Sequence, residues 1–97
     1  MQLISQVFGD DAPIALNIAR CESTYRQYDD GGAVLRGKVN PEDLGIFQVN
    51  AKYHRQEALQ LGYDINTLQG NVMFAKHLYD KNGTNDWTAS KDCWDVL

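Results

Sequence analysis

Glu22 is the residue whose type and spacing first suggest chemistry. Ile14, Ile18, Glu22 and Tyr25 are separated by three or four residues, so they share one face of a predicted helix. Burial on such an apolar stripe raises the pKa of a carboxyl group, because it disfavours the charged form. A carboxyl that keeps its proton near neutral pH is what a general acid requires. The alternative for Glu22 alone is a place at the border of the stripe, where its side chain reaches water.

Asp43 is a second candidate, because it stands at the entry to a predicted strand. Taken alone, it is equally an ordinary turn or strand-edge aspartate. Taken with Glu22, it suggests glycoside cleavage, in which one acid lies in apolar surroundings and one carboxylate lies in a polar β element. The first protonates the leaving oxygen and the second acts as nucleophile or electrostatic stabiliser.

The elements that must position these two carboxyl groups follow from hydrophobic periodicity and from turn residues. Gly9 ends a first helix, Thr67 can cap a late one, and the predicted helices cover residues 3–8, 10–25, 52–61 and 68–82. Two short strands, 33–35 and 44–49, form a small antiparallel β-hairpin or ribbon between them, and a short segment, 87–94, ends the chain. The prediction is a helix-dominated α+β fold in a single domain spanning residues 1–97.

Composition excludes several classes of protein. With 97 residues, 43% apolar, 23% charged and a net charge of −4, the chain is one globular domain and a poor candidate for nucleic-acid binding. Its apolar runs are too short to predict a membrane span, and its first eight residues predict no signal peptide. Two cysteines, Cys21 and Cys93, allow one disulfide or none, and they form no zinc-site pattern.

Two other groups of residues are weaker candidates for a functional site. Cys21 with His54 or His77 would be a cysteine peptidase dyad, but a nucleophile loop is missing and Cys21 falls in mid-helix. His54 and Glu57 have the spacing of half a metal site, but no further ligands follow, so we expect no metal.

Several motifs together resemble one family. The segment Ile-Ala-Arg-Cys-Glu-Ser-Thr-Tyr at 18–25 is similar to a catalytic helix in which a Glu-Ser pair carries the acid. Pro-Glu-Asp-Leu-Gly-Ile-Phe-Gln-Val-Asn at 41–50 resembles an Asp-x-Gly-x-x-Gln-x-Asn strand. The segment 67–72, in which an asparagine opens a core helix, and the Trp-rich segment 87–94 follow in the same order. Across residues 3–94 the chain resembles the lysozyme-like superfamily of C-type lysozymes and SLT-type lytic transglycosylases.

The resemblance implies a role for individual residues. Glu22 matches the general acid that later serves as base, and Asp43 matches the second carboxylate of C-type lysozymes. Gln48 and Asn50 match positions beside the sugar-binding cleft, although a pair that ties the hairpin to the next helix is an equal alternative.

Two further side chains are candidates for the substrate site. Ser23 is either a hydrogen-bonding neighbour of Glu22 or a solvent-facing serine. Trp87 either walls the pocket of the acid or packs in the core.

The resemblance also implies a disulfide between Cys21 and Cys93, equivalent to a lysozyme bridge shifted by one helical turn. The other lysozyme cysteines and the Ala-Tyr-Asn-Ala-Gly tract of many transglycosylases are missing. The implied protein is therefore a monomeric, extracytoplasmic muramidase or lytic transglycosylase without a cofactor, acting on peptidoglycan glycan strands. The alternative is a non-catalytic relative that binds saccharide or protein.

Overall fold

The structure, a computed structural model, describes residues 1–96 and has the predicted helix-dominated α+β architecture. Its helices are α1 (Gln2–Phe8), α2 (Ala12–Ser23), α3 (Ala51–Gln60), α4 (Leu68–Asn82) and α5 (Lys91–Trp94). Two 3-10 turns, Gly9–Asp11 and Asn85–Ser90, precede α2 and α5. Strands β1 (Asp43–Leu44) and β2 (Val49–Asn50) pair in antiparallel register. None of the helices in residues 1–96 combines the length and the apolar character that crossing a bilayer requires.

Helix α2 begins at Ala12, two residues later than predicted because Asp10 and Asp11 lie in the preceding 3-10 turn, and it ends about two residues earlier than predicted. Pro13 lies in its first turn, where a missing N–H costs nothing. Thr24 and Tyr25 then take left-handed φ values of 51° and 64°, which terminates the helix. Tyr25 therefore lies outside the helix and is exposed, whereas Ile18 is buried and Glu22, in the last turn, is half-buried.

The predicted antiparallel hairpin exists, but its strands lie elsewhere. Leu44 pairs with Val49, so residues 44–49 form a tight hairpin rather than one strand, and Val34 makes only an isolated bridge with Tyr28. The tip turns back at Gly45, which has a φ of 77°. A β-carbon there would lie 2.5 Å from the side-chain oxygen of Gln27, so only glycine fits.

Two buried amides replace the missing strand partner at the tip of the hairpin. Gln27 accepts a hydrogen bond from the Ile46 N–H, and Asn71 accepts one from the Phe47 N–H while donating to the Leu44 carbonyl. Side chains from other elements thus satisfy backbone groups that a neighbouring strand would otherwise pair. This is why an apolar run typical of a strand folds as a turn.

Helix α4 starts after the predicted capping residue Thr67, and α3 starts after Asn50, a cap that the sequence did not predict. The Asn50 side chain accepts from the Tyr53 N–H, and the Thr67 hydroxyl accepts from the Gly70 N–H. Phe47 lies at the centre of the core, with its ring 5.5 Å from the Phe8 ring and 5.9 Å from the Trp87 ring. The hairpin is therefore fixed against α1 and the C-terminal segment together.

The predicted disulfide between Cys21 and Cys93 is confirmed. It joins α2 to α5, and its α2 cysteine, Cys21, directly precedes Glu22. The indole N–H of Trp94 donates to the Trp87 carbonyl at 3.0 Å, which ties α5 to the preceding turn. The disulfide thus attaches the C-terminal segment to the helix of the candidate acid, and the hydrogen bond holds α5 in place within that segment.

Candidate active site

An open cleft runs between the end of α2 and the β-hairpin, and it has two adjoining parts. The large pocket, about 380 Å³, lies between residues 21–26 and the loop 35–40. The small pocket, about 130 Å³, reaches from the hairpin to α3 and the Asn85–Ser90 turn. Glu22, Asp43 and Gln48 line both pockets, so these three side chains mark the junction of the two.

Glu22 combines partial burial with a specific hydrogen bond. Burial raises its pKa most, and the nearby negative charge of Asp43 raises it further. The Ser90 hydroxyl donates a hydrogen bond to Glu22 Oε2, which favours the carboxylate and lowers the pKa. The net pKa is raised, as a general acid requires, because loss of hydration outweighs the hydrogen bond.

Ser90 can serve both protonation states of Glu22. Its oxygen lies within hydrogen-bond reach of Glu22 Oε2 and 3.2 Å from the Trp87 carbonyl, but a hydroxyl has a single proton to donate. When Glu22 is ionised, Ser90 donates to it. When Glu22 is protonated, Ser90 can donate to the Trp87 carbonyl and accept from the carboxyl. The contact therefore survives a proton transfer at Glu22.

Asp43, at the start of β1, faces the same cleft as Glu22 and is half-buried. The Asn50 side-chain NH₂ donates to Asp43 Oδ1 at 3.0 Å, so one carboxylate oxygen is held and Oδ2 stays available. Asn50 lines the small pocket and also caps α3 through its side-chain oxygen. The structural role considered for Asn50 is present, and it serves to orient Asp43.

Gln48 reaches the cleft because of its unusual backbone. Its φ of 52° is left-handed for a residue with a β-carbon, and such conformations cost about 1–3 kcal/mol. Its amide N–H groups lie 2.9 Å from the Gly45 carbonyl and 3.4 Å from the Leu35 carbonyl. The side chain is thereby fixed beside the two carboxyl groups.

The remaining predicted residues lie at the cleft but are largely buried. Ser23 is 6% exposed; its hydroxyl lies 2.8 Å from the Ile46 carbonyl and accepts from the Arg26 N–H, so it joins α2 to the hairpin. It makes no hydrogen bond to Glu22 within residues 1–96. Trp87 is 4% exposed, donates to the Phe47 carbonyl at 3.0 Å and borders the small pocket. Trp87 therefore both packs in the core and walls the site.

The sequence reasoning missed three residues that build the site. Ser90 is 68 positions from Glu22 and has no local signal. Gln27, which follows the end of α2, also has no local sequence signal for its role. Asn71 belongs to the segment 67–72, which resembles the lysozyme-like superfamily, but the sequence does not predict its contact with the hairpin. All three act through contacts between distant segments.

Within residues 1–96, no three His, Cys, Asp or Glu side chains converge in a way that could hold a metal ion. Comparison with protein-family models, curated proteins and solved structures finds no match. The function of the chain is therefore inferred from the geometry of the cleft and from its sequence motifs.

Proposed function

We propose that the chain cleaves the β-1,4 bond between MurNAc and GlcNAc in peptidoglycan, with Glu22 as general acid and base and Asp43 as second carboxylate. The observation that carries the proposal is the raised pKa of a half-buried Glu22 that shares both pockets of one cleft with Asp43. The sequence motifs around both residues, which resemble those of the lysozyme-like superfamily, support the same activity and the same roles for Glu22 and Asp43.

The first chemical step uses the proton of Glu22. Glu22 protonates the glycosidic oxygen, the bond to the anomeric carbon breaks, and positive charge develops on the sugar ring. Asp43 then stabilises that charge or attacks the anomeric carbon, with Asn50 keeping its carboxylate in position. Gln48, Asn50 and Trp87 would hold the sugars on either side of the junction.

The second step returns the proton to Glu22. As a carboxylate, Glu22 takes a proton from the attacking hydroxyl group, which belongs either to water or to C6 of the same sugar. Water gives a hydrolysed product, as in a muramidase. The C6 hydroxyl gives an anhydro end, as in a lytic transglycosylase. Ser90 can hydrogen-bond Glu22 in both protonation states, which would support its change of role.

The place of action follows from the proposed substrate, because peptidoglycan lies outside the cytoplasm. The Cys21–Cys93 disulfide agrees with an oxidising compartment. The cleft is formed by one chain, so we expect a monomer to be active on glycan strands.

The proposal is tested by the clearing of a purified peptidoglycan suspension. Glu22→Gln removes the acid with little change in shape, and we expect it to lose activity by about 100-fold or more. Glu42→Gln is the matched control, because this exposed neighbour of Asp43 lines neither pocket. Equal clearing by wild type and Glu22→Gln would show that the acid assignment is wrong. Binding to the wall without clearing by the wild type would favour the non-catalytic alternative.

Asp43→Asn distinguishes the two catalytic outcomes. We expect this substitution to cost much more activity if the enzyme hydrolyses than if it transglycosylates, because many transglycosylases lack a second carboxylate. A near-neutral effect together with hydrolysed products would contradict the role of Asp43.

A further inference from the structure

The large pocket carries an unusual share of the positive charge of an acidic protein. Arg26, Arg36 and Lys38 all line it, and these are three of the nine lysines and arginines in a chain of net charge −4. They face two carboxyl groups, Glu22 and Asp43, one of which has a raised pKa. When Glu22 is protonated, cations therefore outnumber anions three to one along this wall.

The three cations remain available to bind an anion. Lys38 makes no ion pair within the described chain, and Arg26 has a single exposed partner, Asp30, at 3.7 Å. Such a solvated pair contributes little and is easily exchanged. Arg36 donates one N–H to the Pro41 carbonyl at 2.9 Å, which fixes the guanidinium and leaves its other donors unused by that contact.

The small pocket has the opposite character. Among the described residues that line it there is no lysine or arginine, and Asp86 adds a further carboxylate. His54 is its one basic side chain, and its Nε2 lies 4.0 Å from that carboxylate. The two carboxyl groups at the junction thus separate a cationic end of the cleft from an anionic end, so the cleft can distinguish the two directions of a charged ligand.

We infer that the large pocket binds the carboxylates of the peptide stem attached to MurNAc, so that the substrate is stem-bearing rather than bare glycan. This inference depends on the proposed cleavage of peptidoglycan. The stem contains carboxylate-bearing residues, whereas a strand without stems keeps only the lactyl carboxylate of each MurNAc. Arginine is suited to bidentate carboxylate contacts, and a cationic wall beside the cleavage point places a stem carboxylate next to Arg36 while the sugars occupy the junction.

The test compares three forms of the same glycan strands, freed of other attached polyanions. The first form keeps its stems, the second has the stem carboxylates amidated, and the third has the stems removed and the exposed lactyl carboxylates amidated. The test variant combines Arg26→Gln with Lys38→Gln. The control variant combines Lys52→Gln with Lys81→Gln, which changes net charge equally outside both pockets.

We expect the wild type to have the lowest KM on intact stems, by about three- to tenfold over the amidated and stem-free forms. Added salt should reduce this preference. The Arg26 and Lys38 variant should lose most of the preference, and the control should keep it. The same KM on all three substrates, or the same loss of preference in the control, would overturn the inference while leaving the cleavage proposal intact.

Cleavage of none of the three forms would instead contradict the proposed function. The inference is then judged by calorimetric binding of the intact and amidated strands. Tighter binding of intact strands by the wild type, lost in the Arg26 and Lys38 variant, would support a stem-carboxylate site. Equal binding of both strands would overturn it.

Discussion

Replacing both cysteines with serine removes the covalent link between α2 and the C-terminal segment, and the cost can be worked from the structure. The bridge joins residues 72 positions apart. For a loop of that length, the chain-entropy relation gives a loss of about 4 kcal/mol in the free energy of unfolding. A domain of this size has about 5–15 kcal/mol in total, so the loss is large. It corresponds to a fall of about 15–30 °C in Tm.

Thermal unfolding followed by circular dichroism measures the effect. The samples are oxidised wild type, wild type with reductant, and the Cys21→Ser, Cys93→Ser variant with and without reductant. We expect reduced wild type and the variant to melt at similar temperatures, well below the oxidised protein. A fall of less than about 5 °C, or a further fall when the variant is treated with reductant, would refute the reasoning.

Removal of the disulfide should also lower activity. Cys93 lies three residues after Ser90, the hydrogen-bond partner of Glu22. Loss of the bridge should therefore loosen the Ser90 contact as well as the fold. Below its melting temperature, the serine variant should have lower activity than the oxidised wild type.

Three further substitutions test other contacts. Ser90→Ala removes the donor that lowers the pKa of Glu22, so the alkaline limb of the kcat/KM pH profile should move to higher pH; an unmoved limb would contradict the contact. Glu22→Gln should stabilise the fold in urea at neutral pH, because a raised folded-state pKa means that the charged form destabilises the folded protein. That gain should disappear once the pH falls below the ordinary glutamate range; a gain that persists there would contradict the assigned cause. Asn71→Ala leaves the buried Phe47 N–H and Leu44 carbonyl without that partner, and urea unfolding should show a loss of about 2–5 kcal/mol; a loss below 1 kcal/mol would refute the anchoring role.

Local patterns predict the presence of helices α1 to α4, although not every boundary. Gly9 ends α1, Pro13 opens α2 and Thr67 caps α4, as the spacing and residue types indicate. Each of these residues affects only the backbone within a few positions of itself. The end of α2 was placed too late because the apolar spacing continues to Tyr25, whereas the backbone has already turned left-handed at Thr24.

The shape of the hairpin could not be predicted in the same way. The run Leu-Gly-Ile-Phe-Gln-Val has the composition of a strand, and it turns because Gln27 and Asn71 hydrogen-bond its backbone from two other segments. The disulfide was predicted from the family resemblance, since spacing alone left one bridge or none. Ser90 reaches Glu22 only because the C-terminal segment folds back over α2.

Mass spectrometry of the fragments released from purified peptidoglycan tests the central proposal most directly. We predict fragments whose reducing-end sugar is MurNAc, either as the free sugar or as an anhydro form lighter by one water, and we predict that Glu22→Gln releases almost none. Fragments with GlcNAc at the reducing end, or equal release of the MurNAc-terminated fragments by Glu22→Gln, would contradict the assignment of bond and acid.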